Sequence, residues 1–145
     1  MVARLVAVTL SFTARGVVTS VESDGFLVAV LTESAEGDGL WLQFQCKLGE
    51  PDERETALGI DTYAVISSQG LAHGCVREVA LVDQQLRVVM TEDSLARLGF
   101  GECEVRVWLD VDDGLVVRFR DMLAQILTYG REDARPQVID LQRAT

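Results

Sequence analysis

One histidine and one lysine serve the whole of this 145-residue chain, and that scarcity removes most catalytic chemistry at the outset. Histidine is the usual general base near neutral pH and the commonest metal ligand, so triads, dyads and zinc sites reduce to whatever His73 alone can do. Cysteine is scarce too. Cys46, Cys75 and Cys103 have none of the short spacings of zinc or redox motifs, and an odd number leaves one over in any disulfide scheme. Each lies in a β-like run, where a reduced thiol behaves as a small buried hydrophobe; this points to reduced cysteines and a cytoplasmic location. No apolar run approaches the eighteen or so residues that a membrane span needs. No glycine-rich phosphate loop or dinucleotide fingerprint occurs, and nothing asks for a cofactor.

Carboxylate is abundant. Twenty-three Asp and Glu against thirteen Lys and Arg give a net charge of −10 and an isoelectric point near 4.4. The basic residues are dispersed, and Arg118, Arg120, Arg131 and Arg135 do not outweigh the carboxylates around them, which disfavours a nucleic acid partner. Apolar content of 48% and mean hydropathy of +0.19 exclude a generally disordered chain. The length suits a single domain over residues 1–145, with 130–145 as a tail. Such a domain is better fitted to grip a basic partner than to transform a substrate.

Period-two patterning dominates. Val6, Val8, Leu10 and Phe12 alternate with small or polar residues, which reads as a strand rather than a cleaved signal. Val17–Val21 and Phe26–Leu31 form a hairpin about Ser23-Asp24-Gly25. Leu40–Cys46 is a strand with Trp41, Gln43 and Gln45 on its polar side; Lys47–Gly59 reads as a solvated loop. Thr62–Ser67 is a strand turned by Ser68-Gln69-Gly70. Val76–Val82 and Leu86–Met90 form the next hairpin, and Thr91 caps a short helix, Glu92–Leu98, stopped by Gly99. Glu102–Val111 alternates over ten positions, with Trp108 beside Arg106 and Asp110 on the polar side. Asp112 or Asp113 caps a helix to about Thr128 with Leu115, Phe119, Met122, Leu123, Ile126 and Leu127 on one stripe. The tail carries a short extension at Val138–Leu141. The expected fold is α+β and mostly β: about eight antiparallel strands, one short helix, and one longer C-terminal helix packed on a sheet face.

Candidate sites follow from the residue types. His73 lies two residues before Cys75, and a thiol–imidazole pair would need both side chains on one side of the segment; a structural histidine in a glycine-flanked turn is the simpler reading. Asp110-Val-Asp-Asp-Gly114 opens like a calcium loop, but the glycine comes one residue early and no glutamate stands at the twelfth position. Tryptophan beside charge is the composition of an interface anchor, so Trp41 and Trp108 are the leading partner-binding candidates, although large indoles are usually covered. Glu50, Asp52, Glu53 and Glu55 are the next.

Leu58-Gly-Ile-Asp-Thr-Tyr-Ala-Val65, then Gly70 and His73-Gly-Cys-Val-Arg-Glu-Val-Ala-Leu81, resemble the immunity protein 10 family of bacterial polymorphic toxin systems. The likeness continues through Thr91-Glu-Asp-Ser-Leu-Ala-Arg-Leu-Gly99 to Leu123-Ala-Gln-Ile-Leu127 and covers roughly residues 10–128; His73 and Cys75 stand where aromatic and glycine residues are usual. It implies a cytoplasmic, non-enzymatic protein that binds and neutralises a cognate toxin, with a basic toxin, such as a nuclease, suiting the acidity. Alternatives are a small-molecule-binding or hydrolytic domain using His73 and Cys75, and a self-assembling subunit whose indoles form a homodimer seam.

Overall fold

The computed structural model describes residues 10–141. Among them the chain forms two five-stranded sheets. The first takes β1 (Leu10–Ala14), β9 (Glu104–Leu109), β8 (Gln85–Met90), β7 (Val76–Val82) and β10 (Val138–Asp140), in that spatial order. The second takes β2 (Gly16–Val21), β3 (Phe26–Thr32), β4 (Trp41–Lys47), β5 (Ala64–Ser67) and β6 (Gly70–His73), in sequence order.

Side-chain alternation decides what each sheet buries. In β9, Val105, Val107 and Leu109 are buried, while Arg106 and Trp108 face out; in β4, Leu42, Phe44 and Cys46 are buried and Trp41, Gln43 and Gln45 face out. A one-residue slip would turn either set to water, so burial fixes the register. Helix α3 (Asp113–Leu127) begins where Asp112 accepts the Leu115 amide at 2.9 Å and packs against β2, β3 and β4. Phe119 meets Phe44 edge to face, with ring centres 6.3 Å apart. Its buried stripe is Val116, Phe119, Leu123, Ile126 and Leu127, each large apolar side chain worth roughly 1.5–3 kcal/mol. Leu115 and Met122 are only half-buried, and Arg120 is buried unexpectedly beside Phe119. The inner faces of both sheets and this stripe make one continuous core.

Several expectations need correction. Two pairings are parallel, β1 with β9 and β10 with β7. Hairpin signals give antiparallel neighbours only between adjacent segments, and neither terminal strand pairs with its sequence neighbour. Ten strands are described rather than about eight, because Gly70–His73 pairs with β5 instead of turning freely, and the Val138 extension docks on β7. The Lys47–Gly59 segment contains a helix, α1 (Glu53–Ala57). The short helix splits into a tight turn, Glu92–Ser94, and α2 (Leu95–Leu98), ended by Gly99 in the left-handed region. Thr91 makes no side-chain cap there; its carbonyl accepts the Ser94 hydroxyl at 2.8 Å. Val6 and Val8 lie outside the described residues.

Tyr63 ties the two sheets together. It is fully buried just before β5; its hydroxyl accepts the Val76 amide at 2.9 Å and donates to the Ala134 carbonyl at 2.9 Å. Beside it, Thr62 bridges Gly130, and Arg131 pairs with Asp61. Gly130 is left-handed, and a Cβ there would collide with the Asp61 carbonyl. Replacing Tyr63 by Phe strands a buried amide and a buried carbonyl, so urea unfolding should show a loss of about 1–3 kcal/mol. Gly130→Ala, which adds backbone strain to a clash, should also lower the urea midpoint.

Candidate functional site

The structure separates the one nucleophile–base pair the sequence offers. His73 ends β6 opposite Ala64, on the outward face of the second sheet, where it lines a small cleft with Gln45 and Tyr129. Gly74 then takes φ of 59°, and the chain turns inward. The Cys75 sulfur lies 4.0 Å from the Ala72 carbonyl and 3.9 Å from the Met90 sulfur, inside the core. Burial pushes the Cys75 thiol up to about 12 and the Cys46 thiol up to about 11, far from the activated thiolate range. Among the described residues no group of three or more His, Cys, Asp or Glu could hold a metal ion, and no helix is long and apolar enough to cross a membrane.

The two indoles stand apart. Trp108 is 43% exposed on the outward face of the first sheet, between Thr13 and Gln85. It lines a cleft of about 700 Å³ with Val82, Arg87 and Arg106. The cations of that cleft are already matched: Arg87 pairs with Glu104 and lies 3.7 Å from Glu78, and Arg106 is 3.2 Å from Glu104. Trp41 is half-buried at the start of β4, opposite Thr32, on the outward face of the second sheet. One flat partner surface does not reach both faces of a shared core.

The four carboxylates of 50–55 divide by role. Asp52 caps α1 by accepting the Glu55 amide at 2.8 Å, and Glu55 returns the contact by accepting the Asp52 amide at 2.9 Å, which is a complete capping box. Glu55 also accepts Lys47 Nζ at 2.6 Å. The Glu55 amide, with Lys47 and the Arg54 amide adding to it, holds the Asp52 carboxyl below its usual range. Glu50 and Glu53 stay open to solvent. Sequence reasoning missed their apolar neighbours: Leu48, Leu58 and Ile60 are 44%, 62% and 36% exposed and line one cleft of about 600 Å³. Leu48 and Leu58 inside a segment read as solvated loop, with Ile60 just past its end, were the available signal.

A model of the immunity protein 10 family matches residues 13–117. This chain belongs to that family. The matched span runs from the end of β1 into α3 and takes in both indoles, the four carboxylates and the exposed aliphatics. Comparisons with curated proteins and with solved structures gave no match. Membership in the immunity protein 10 family implies a toxin as partner, and the features available to meet one are these outward surfaces.

Desolvation lowers the His73 pKa from its ordinary 6.5, with Arg97 and Arg131 adding to the effect. The folded state therefore binds fewer protons than the unfolded chain as pH falls past that value. The His73 contribution to stability is complete above 6.5 and is lost on acidification. Denaturation between about pH 7 and about pH 5 should show a shallower decline for His73→Gln than for the wild type.

Proposed function

We propose that this protein neutralises a cognate toxin of a bacterial polymorphic toxin system by stoichiometric binding in the cytoplasm of the producing cell, without chemistry of its own. The family match over residues 13–117 carries the reading. Three further features support it. The net charge of −10 steers a cationic partner and speeds its association; a nuclease, whose groove must attract phosphate, is such a partner. Cys75 and His73 are divided between the core and a sheet face, and burial raises the thiol of Cys46, which shares a cleft with His73, to about 11; both weigh against the hydrolytic alternative. Trp41 and Trp108 lie on different sheets, which weighs against a homodimer seam built from both. Glu50 and Glu53 remain available to meet a toxin directly, whereas Asp52 and Glu55 act by shaping the segment that carries them.

Mixed with the toxin domain encoded beside its gene, the protein should elute as a 1:1 complex by light scattering, and the affinity should fall as salt rises. An interface of the usual size, about 1,600 Å² in total, is expected. His73→Ala and Cys75→Ala should each leave the complex and cellular protection intact. Loss of protection by a folded variant that still binds would establish chemistry of its own instead.

A further inference from the structure

Residues 48–60, ahead of the buried Asp61, Thr62 and Tyr63, hold their shape with no side chain buried. Helix α1 buries none of its side chains, so the core does not fix it. Polar contacts do. The capping box closes its start, Lys47 clamps Glu55, and the Tyr129 hydroxyl donates to the Gly49 carbonyl at 2.9 Å. The Ile60 amide donates to the Glu55 carbonyl at 3.0 Å, and Gly59 takes the left-handed turn that makes this return possible. A loop fixed in this way nevertheless points Leu48, Leu58 and Ile60 at solvent around a single cleft, with Phe26 also lining it. Fold stability gains little from that arrangement, and an apolar cleft with a preset shape is what a binding surface requires.

We propose that this cleft is the primary docking site for the toxin, and that it receives a toxin segment in which Lys or Arg residues flank one apolar side chain. This rests on the immunity reading and deepens it. The apolar cleft sets the anchor; the rim sets the sign. Asp24, Asp52 and Glu55 line the cleft against Lys47 and Arg54, Lys47 is already engaged by Glu55 and Asp52, the exposed Glu53 follows Asp52 in the chain, and Glu50 lines a second cleft with Tyr129 and Arg131. A second copy of this chain would bring the same carboxylates and be repelled. The docking face extends along β4, whose outward residues run from Lys47 to Trp41 over about 20 Å at ~3.3 Å per residue. A standard footprint of about 800 Å² per partner covers that span. Trp41 is thus a peripheral anchor, and Trp108, on the other sheet, lies outside the interface.

The test is a binding-kinetics series on the full chain against the catalytically disabled toxin domain encoded beside its gene. Leu58→Asp changes a side chain that is 62% exposed, so its melting temperature should match the wild type. Its affinity should fall at least about 100-fold, mostly through faster dissociation. Leu58→Ala, a milder change, should fall about tenfold. Glu50→Lys combined with Glu53→Lys should slow association about tenfold and flatten its salt dependence. Trp108→Ala should stay within about twofold of the wild type. If both Leu58 variants bind as the wild type does, or if Trp108→Ala abolishes binding, the docking site is elsewhere while the immunity reading stands. If the wild-type chain itself does not bind the toxin domain, the immunity reading falls first and takes this site with it.

Discussion

The Tyr63 hydroxyl is the contact on which the two-sheet architecture depends. The chain leaves the first sheet at Arg15, builds the whole second sheet from Gly16 to His73, and returns at Gly74. Beside that return, one buried phenol satisfies the amide of Val76, the first residue of β7, and the carbonyl of Ala134 in the C-terminal segment. Burial raises the phenol well above its ordinary pKa, so it stays protonated and keeps the proton it donates. Gly74 permits the approach: a Cβ there would stand 2.8 Å from the Ala134 side chain. A peptide group left unpaired at such a depth would cost more than most single contacts contribute.

Local signals made much of this fold legible. The Ser23-Asp24-Gly25 hairpin, the Asp112 cap and the Gly99 stop each depend on a few adjacent residues, and each is where the sequence places it; the Glu102–Val111 alternation holds over its centre, Glu104–Leu109, with Cys103 and Val111 outside the strand and half-buried. What stayed hidden depends on distant partners. Nothing in Leu10–Ala14 says that its neighbour is β9, roughly ninety residues away and parallel to it. Gly70–His73 looks like a turn until β5 supplies its ladder. Arg120 looks like a solvated position until Phe119 and the sheet define what α3 buries. Helix α1 was different, since Asp52 followed three residues later by Glu55 is a capping signature; the surrounding carboxylates made it look like loop.

The acidity of the chain does two kinds of work, and only structure tells them apart. Asp52, Glu55, Asp61, Glu104 and Asp112 bind backbone amides or neighbouring cations and shape the protein itself. Glu50 and Glu53 are exposed to solvent. Exposed ion pairs such as Arg15–Asp110 at 3.8 Å add little stability. The exposed carboxylates contribute charge to the surface more than they contribute framework.

The strand order also governs when the protein can exist during synthesis. The second sheet is contiguous in the chain, but the first takes its edges from opposite ends, β1 near the start and β10 near the finish. A nascent chain on the ribosome can therefore assemble one layer early, yet must wait for residues 138–140 before the other is complete. An emerging chain thus passes through a half-built stage, one layer closed and the other still lacking an edge, in which the inner face of the finished sheet waits for its cover.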